Sequence, residues 1–184
     1  MTKDQRPIDQ AAKDTLSIQL SSLDHTRELA EALAGLVGAG DLITLSGDLG
    51  AGKSEFARAI IRTRLSDENM DVPSPTFTLI QTYDEGDDSV ILHCDLYRLA
   101  DADELFELGL DDVRSASLLL IEWPDRLPND WLDTSIDMTI EILPEQNSNG
   151  DQHRRVTLSA PAERFSAFRT MIDQLSTAPQ ERDA

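Results

Sequence analysis

Residues 42–54 read Leu42-Ile43-Thr44-Leu45-Ser46-Gly47-Asp48-Leu49-Gly50-Ala51-Gly52-Lys53-Ser54, and this stretch decides the fold. Its first part, Leu42–Leu45, is a short run that favours a β-strand. The part from Gly47 to Ser54 matches G-x-x-x-x-G-K-[ST], the pattern of a glycine-rich turn between a strand and a helix. The four fixed positions would match by chance in about one of a thousand sequences of this composition. The stretch therefore predicts a strand, a phosphate-binding loop and a helix that begins near Lys53.

Each part of this motif has a chemical role toward a nucleotide. Glycines let successive backbone N–H groups turn toward phosphate oxygens, and the following helix adds its positive N-terminal end. Lys53 would bring a positive charge to the β and γ phosphates, and the Ser54 hydroxyl could bind Mg²⁺. A plain turn would explain the glycines but not the lysine, because the helix dipole disfavours a cation there unless an anion is bound. The candidate nucleotide-binding residues are Gly47, Asp48, Leu49, Gly50, Ala51, Gly52, Lys53 and Ser54.

The composition is that of an ordinary folded domain. The chain has 184 residues, of which 40% are hydrophobic and 28% charged. We expect an N-terminal tail over residues 1–14, one domain over residues 15–176 and a C-terminal tail over residues 177–184. The longest apolar run, Leu118–Ile121, is too short for a membrane helix. Residues 1–14 mix both charges and have no apolar stretch, so they do not predict a secretory signal. With one cysteine no internal disulfide can form, so a cytoplasmic protein is expected.

The charge balance argues against direct binding of nucleic acid. Thirty-five acidic residues against sixteen basic ones give a net charge of −19. An acidic surface repels phosphate backbones, so we expect the isolated chain to bind nucleic acid weakly.

Elsewhere the sequence alternates between helical and strand patterns, which predicts a mixed α/β domain. Ser21, Ser22 and Asp24 could cap a helix that ends at Gly38 and Gly40. Leu118–Ile121 is apolar on both faces, which is typical of a strand inside a parallel sheet. The other predicted elements are strands Thr76–Tyr83 and Val90–Cys94, a helix Asp101–Leu108, an antiparallel edge of Ile136–Leu143 with Arg155–Ser159, and a final helix from Pro161 to about Leu175.

Two of the predicted strands lead directly into acidic residues, Asp95 and Glu122. In open α/β sheets ligands bind beyond the carboxyl ends of the strands, so both carboxylates would face a nucleotide on the loop. Either one could hold Mg²⁺ directly or through water. The plainer interpretation is a solvated strand end, or an ion pair such as Asp95 with Arg98.

Two further positions allow both a functional and a structural interpretation. Thr76, in the extended segment Pro73–Thr78, could sense the γ phosphate or orient an attacking water, or it could simply lead into a strand. Trp123 could stack over a nucleotide or pack in the core.

The cysteine and the histidines point to no separate chemistry. Cys94 should face away from Asp95 by strand alternation, which predicts a buried core thiol. His25 fits the first turn of a helix, and neither it nor His93 lies at a spacing typical of a metal site.

Four blocks of sequence together resemble the bacterial TsaE family, the small ATPase subunit of tRNA threonylcarbamoyladenosine biosynthesis. The blocks are Gly47–Ser54, Ser74–Leu79 (SPTFTL), His93–Leu99 (HCDLYRL) and Ile121–Pro124 (IEWP). They occur in the family's order and approximate spacing, and the similarity runs from about Ile18 to Ser159.

This resemblance implies an α/β fold of the P-loop NTPase type, with a mainly parallel sheet flanked by helices and additional antiparallel strands. ATP would bind the Gly47–Ser54 loop with Trp123 near the nucleotide, and Ser54 and Glu122 would ligate Mg²⁺. The implied catalytic residues are Asp95, Glu122 and Thr76. The implied partners are subunits of the TsaD and TsaB types, with tRNA met only through their complex and no membrane involved. ATP hydrolysis would reset that complex between turnovers.

One departure from the family lies at the start of the helix, where Ser54 and Glu55 stand in place of the more usual pair of threonines. Serine keeps the metal-binding hydroxyl. Glu55 adds a negative charge near the phosphates, which would weaken nucleotide affinity unless its side chain points outward.

Other functions fit the same loop. A small-molecule kinase would share it, but such kinases usually close an arginine-rich lid over the phosphates, and no stretch here has that character. A non-hydrolysing nucleotide sensor would use the same groups as a slow ATPase, so the residues leave that alternative open. A GTPase is disfavoured because the sequence has neither an Asn-Lys-x-Asp guanine motif nor an Asp-x-x-Gly switch.

Overall fold

A seven-stranded sheet organises the protein, described by a computed structural model over residues 13–86, 89–99, 102–148 and 150–177. The strands are β1 (Lys13–Leu20), β2 (Leu42–Ser46), β3 (Ile80–Gly86), β4 (Ser89–Asp95), β5 (Ser117–Glu122), β6 (Ile136–Gln146) and β7 (Gln152–Pro161). The α-helices are α1 (Leu23–Ala34), α2 (Lys53–Leu65), α3 (Ala102–Glu107), α4 (Leu110–Val113), α5 (Asn129–Thr134) and α6 (Ala162–Thr177). Short 3-10 turns lie at Arg114–Ala116 and Pro124–Arg126.

The strand order is β1-β7-β6-β2-β5-β4-β3. The four central strands β6, β2, β5 and β4 are parallel to one another. β7 and then β1 continue the sheet with antiparallel pairing on one side, and β3 pairs antiparallel with β4 on the other. The predicted α/β fold, with a mainly parallel sheet and additional antiparallel strands, is confirmed.

Helices cover both faces of the sheet, and this explains why its centre is apolar throughout. Residues of α1, α2 and α6 share one core cluster with one face, and α3, α4 and α5 lie on the other. Every residue of β5 is buried, as the apolar run Leu118–Ile121 predicts for a parallel strand with both faces covered. In the described ranges no helix has the length and apolar character needed to cross a membrane.

The N-terminal region differs from the prediction of a tail over residues 1–14. β1 begins at Lys13 and pairs antiparallel with β7, from Lys13 opposite Pro161 to Leu20 opposite Arg154. β1 therefore takes the edge position, and the predicted edge strand β7 lies inside the sheet. Residues 1–12, and residues 178–184 of the predicted C-terminal tail, lie outside the described residues.

Helix α1 is capped as its sequence predicts but is shorter. The Ser22 side chain accepts a hydrogen bond from the His25 N–H at 3.2 Å, so His25 lies in the first turn. The helix ends at Ala34 with Gly35 as its C-cap, and the predicted stop at Gly38 comes after the helix has already ended.

Two other predicted boundaries are wrong by a few residues. Strand β3 begins at Ile80 instead of Thr76, because the Leu79 N–H bonds the Pro75 carbonyl at 2.7 Å and closes a turn there. Pro161 is the last residue of β7, and α6 begins one residue later. The predicted turn between β3 and β4 includes residues 87 and 88, which lie outside the described residues.

Candidate functional site

The loop between β2 and α2 has a backbone path that requires glycine at two positions. Gly47 has a φ of 136°, and a Cβ atom there would lie 2.2 Å from the Ile140 carbonyl oxygen of β6. Gly52 has a φ of 113° and is the N-cap of α2. A side chain at either position would strain the backbone. The glycines therefore hold the loop close against the sheet.

Lys53 lies across this loop from the first turn of α2. Its Nζ donates hydrogen bonds to the carbonyl oxygens of Gly47 at 2.7 Å and Asp48 at 2.9 Å. The residue is only 5% exposed. Burial lowers the pKa of its ammonium group, although the charges of Glu122, Asp95 and Asp48 act in the opposite direction. A buried cation therefore sits where the sequence predicts contact with phosphate.

Trp123 lies beside that cation and outside both hydrophobic clusters. The centroid of its ring is 3.9 Å from Lys53 Nζ and 5.0 Å from the Tyr97 ring centroid. Its backbone has a φ of 57°, a conformation that non-glycine residues adopt at an energetic cost. Of the two interpretations from the sequence, the structure excludes core packing and places the ring at the loop.

Ser54 and Glu122 come together although 68 residues separate them. The Ser54 hydroxyl donates to Glu122 Oε2 at 3.0 Å. Ser54 is in the first turn of α2, and Glu122 ends β5 and is 2% exposed. The pair predicted as metal ligands is thus in direct contact.

The other oxygen of Glu122 contacts a residue that the sequence analysis set aside. His93 Nε2 lies 2.9 Å from Glu122 Oε1, and the His93 side chain is buried. The sequence does indicate that His93 lies near the site. It precedes Asp95 by two residues on one strand, and residues two apart share a face of the sheet.

Asp95 ends β4 opposite Glu122 in the register of β5. Its Oδ2 accepts from the Thr76 hydroxyl at 2.7 Å, and its Oδ1 accepts from the Tyr97 N–H at 3.0 Å. Ser74 Oγ lies 2.9 Å from Thr76 Oγ1. Asp95 is 4% exposed, so the plainer interpretation of a solvated strand end is wrong.

Most of these groups line one open cleft at the carboxyl ends of the central strands. Its lining residues are Leu49, Gly50, Gly52, Lys53, Ser54, Glu55, Thr76, Asp95, Glu122 and Trp123. Of the loop residues predicted from the sequence, Gly47, Asp48 and Ala51 do not line this cleft. Gly47 and Asp48 bond Lys53 through their carbonyl oxygens, and Ala51 is buried.

The donor set suits Mg²⁺ bound together with a nucleotide. In the part of the chain that the structure describes, no group of three or more His, Cys, Asp or Glu side chains could hold a metal ion. Mg²⁺ in nucleotide sites takes one or two carboxylates, a hydroxyl and phosphate oxygens. Ser54 and Glu122 supply the protein's share of such a set, with Asp95 as a second carboxylate in the same cleft.

Comparison with known proteins identifies the family. A family model described as threonylcarbamoyl adenosine biosynthesis protein TsaE matches residues 20–156. This chain belongs to the TsaE family. Similar proteins named tRNA threonylcarbamoyladenosine biosynthesis protein TsaE include one from Rickettsia felis, 39% identical over 68% of this chain and 72% of its own length. The one from Bacillus subtilis is 32% identical over 77% of this chain and 84% of its own length.

A solved structure shows the same fold. The crystal structure of YdiB from Bacillus subtilis superposes with a TM-score of 0.64, covering 90% of this chain and 96% of that one. Its sequence identity to this chain is 24%, so the likeness concerns the fold alone.

Glu55, where this TsaE family member departs from the usual threonine, is compensated by two arginines. It accepts from Arg27 Nε at 2.8 Å and from Arg58 Nη1. Burial alone would raise the pKa of Glu55, but the hydrogen bonds and charges of these arginines outweigh it and lower the pKa. The expected repulsion of phosphate is therefore offset by neighbouring positive charge.

Arg154 of β7 is a further residue at the loop that the sequence did not indicate. Its Nε donates to the Ala51 carbonyl at 3.0 Å and lies 3.6 Å from the position of a Cβ on Gly52. The contact joins residues 103 positions apart, and nothing in the local sequence around Arg154 predicts it.

Cys94 takes no part in the site. It is fully buried on the opposite face of β4, in the cluster with Leu92 and Ile121. Burial raises the pKa of its thiol to about 12. The predicted core thiol is confirmed.

Proposed function

We propose that this protein is an Mg²⁺-dependent ATPase that acts as an accessory subunit in the threonylcarbamoyladenosine modification of tRNA, at the adenosine next to the anticodon. ATP binding and slow hydrolysis would reset a partner complex of the TsaB and TsaD types between rounds of modification. Family membership supports the pathway, and the site supports the chemistry.

The observation that carries the ATPase proposal is the contact between Ser54 and Glu122 next to Lys53. A hydroxyl and a carboxylate lie 3.0 Å apart in a cleft that also holds a buried ammonium group. Phosphoryl transfer relies on positioning and on charge stabilisation more than on covalent chemistry of the protein. These three groups have the chemistry required for both tasks.

In this proposal each residue has a separate task. The backbone N–H groups of the loop and Lys53 bind the β and γ phosphates, and Ser54 and Glu122 hold Mg²⁺, which when bound neutralises charge on the phosphate oxygens. The Thr76 hydroxyl gives its hydrogen to Asp95. Since that hydrogen is used, Ser74 donates to Thr76 Oγ1 and occupies one lone pair. The remaining lone pair is available to accept a hydrogen from the attacking water and so to orient it.

The surface around the cleft favours a protein partner. Leu49, Phe77 and Tyr97 are 90%, 86% and 66% exposed, and all three belong to segments that line the cleft. Exposed apolar groups around a polar site are typical of an interaction surface. With a net charge of −19 on the chain, contact with tRNA would run through the partner complex.

The test is steady-state ATP hydrolysis by the purified protein, alone and with a purified TsaB–TsaD pair, with threonylcarbamoyladenosine on tRNA measured in the same tube. We expect hydrolysis that the partners stimulate, together with repeated rounds of modification that require this chain. The Lys53→Ala variant serves as the control without nucleotide binding. A rate of ATP turnover that does not change with the partners but increases when a small-molecule acceptor is added would indicate a kinase. Modification that requires ATP binding without hydrolysis would indicate a nucleotide sensor.

A further inference from the structure

His93 is a buried polar residue for which the proposed reaction provides no task. Its side chain is 1% exposed, and its Nε2 contacts Glu122 Oε1 at 2.9 Å. The other ring nitrogen, Nδ1, is buried without a hydrogen-bond partner among the described residues. If the imidazole only filled the core, its buried unpaired nitrogen would cost free energy of folding that a leucine would avoid.

The hydrogen-bond pattern assigns the direction of this contact. An ionised carboxylate only accepts, so His93 Nε2 carries the hydrogen and donates it to Glu122. The neutral ring with hydrogen on Nε2 leaves Nδ1 as an unpaired acceptor, whereas a hydrogen on Nδ1 would leave a buried donor unpaired. The contact is therefore a hydrogen bond that the imidazole donates through Nε2 to one oxygen of Glu122, and the other oxygen stays on the side of Ser54.

The two carboxylate oxygens of Glu122 have different partners. Oε1 is held by His93 from β4, and Oε2 points to the Ser54 hydroxyl at 3.0 Å. The terminal torsion of a glutamate is broad, so a single contact would leave the plane of the carboxylate free to turn. Contacts on both oxygens fix that plane and direct Oε2 toward the hydroxyl.

We infer that His93 is a positioning residue, which holds Glu122 so that Oε2 faces the metal position beside Ser54. This inference rests on the proposed Mg²⁺ site. Hydrogen-bond partners of ligating side chains typically contribute 10- to 100-fold to metal affinity or activity. Removal of the His93 donor should weaken metal binding in that range while leaving the phosphate loop intact.

The test compares three variants of the full chain. His93→Leu removes the donor, and His93→Gln keeps an N–H near the position of Nε2. Cys94→Ala is the matched control, because it opens a buried site on the same strand but on the opposite face. Mn²⁺ affinity is measured by electron paramagnetic resonance with a non-hydrolysable ATP analogue present. Affinity for the analogue is measured separately in EDTA, and thermal unfolding verifies that each variant is folded.

We expect His93→Leu to weaken Mn²⁺ binding by about 10- to 100-fold, with affinity for the analogue in EDTA changed less than about twofold. His93→Gln should recover most of the loss, and Cys94→Ala should match the wild type. The inference is overturned if His93→Leu binds Mn²⁺ like the wild type, if His93→Gln is as weak as His93→Leu, or if Cys94→Ala is equally weak.

A measurement on the wild type covers the case in which the leucine variant does not fold. Nitrogen-15 NMR of the histidine rings should show His93 with hydrogen on Nε2, and a ring with hydrogen on Nδ1 only would overturn the inference. Failure of the proposed function is read separately from the wild-type protein. A wild type that binds neither the analogue nor Mn²⁺ lacks the proposed site, and one that binds both without hydrolysing ATP is a sensor in which the His93 variants still test the inference.

Discussion

The parallel centre of the sheet and its antiparallel flank use burial for different purposes. In the centre, formed by β2, β5 and β4, the strand ends and the adjoining loop bury the polar residues Lys53, His93, Asp95 and Glu122. The flank is formed by β7 and β1 together with β6, which pairs antiparallel with β7 and joins the flank to the parallel centre. Every buried residue of β6 and β7 is apolar. Buried charges cost free energy of folding unless they are paired. The centre accepts the free-energy cost of burying charged groups because its site needs them. The flank buries only apolar side chains in β6 and β7 and has no such cost there.

The two regions are joined by the parallel pairing of β2 with β6, and two contacts of the flank reach the loop itself. The Ile140 carbonyl of β6 lies against Gly47, and Arg154 of β7 bonds the Ala51 carbonyl. The flank therefore also shapes the back of the loop. Four substitutions test how far the division holds, and they follow in order of their expected effect on the proposed nucleotide site.

Lys53→Ala in the centre should have the largest effect. We expect ATP affinity to fall by about 100-fold or more, because a charge-assisted hydrogen bond in a buried site is lost. Isothermal titration calorimetry provides the measurement. Lys13→Ala is the control from the flank, where Lys13 pairs with Asp137 at 2.6 Å, and it should leave ATP affinity unchanged. Retained ATP binding by Lys53→Ala would remove the argument for a phosphate loop.

Glu122→Gln should come next, with an effect on hydrolysis greater than on nucleotide affinity. The substitution keeps the size of the side chain and removes the charge that would hold Mg²⁺. We expect kcat to fall more than about 100-fold, beyond the range of an outer hydrogen-bond partner such as His93. Phosphate release under saturating ATP is the measurement. An unchanged rate would transfer the metal-binding role to Asp95.

Arg154→Ala tests the contact between the two regions and should have a moderate effect. Loss of the hydrogen bond to the Ala51 carbonyl should weaken nucleotide affinity by about 2- to 10-fold, the equivalent of one net hydrogen bond. Arg155→Ala is a matched control, because the neighbouring arginine is exposed and lies 3.6 Å from Glu141 on the surface. Equal affinities for these two variants would show that the flank does not shape the loop.

Leu158→Ala should affect the nucleotide site least. This flank residue is fully buried, so the free energy of unfolding should fall by about 2–5 kcal/mol. ATP affinity at a temperature where the variant is folded should change less than about twofold. Leu120→Ala, equally buried in β5 two residues before Glu122, should lose similar stability and also weaken Mn²⁺ binding. Urea unfolding measures the loss of stability, and the binding assays measure the loss of affinity. A large loss of ATP affinity in Leu158→Ala would contradict the division between the centre and the flank.

The sequence predicts the centre better than the flank for a physical reason. The loop, the apolar strand and the acidic residues that end β4 and β5 are local patterns, and strand alternation suffices to place Asp95 and Glu122. β1 was missed although Leu16, Ile18 and Leu20 alternate with polar residues, because an edge strand has only a weak apolar signal. Arg154 could not be predicted, since its contact depends on where the β6–β7 pair lies relative to the loop.

The pairing of β1 with β7 has a consequence for the order in which the protein is made. Lys13 lies opposite Pro161, so the first of the seven described strands to leave the ribosome has to wait for the last. At ordinary rates of translation this wait is about 7 to 30 seconds. During that time the alternating apolar side chains of β1 are without their partner strand. We therefore expect completion of the sheet edge to be a late step in biogenesis, and the net charge of −19 opposes aggregation of the chain until then.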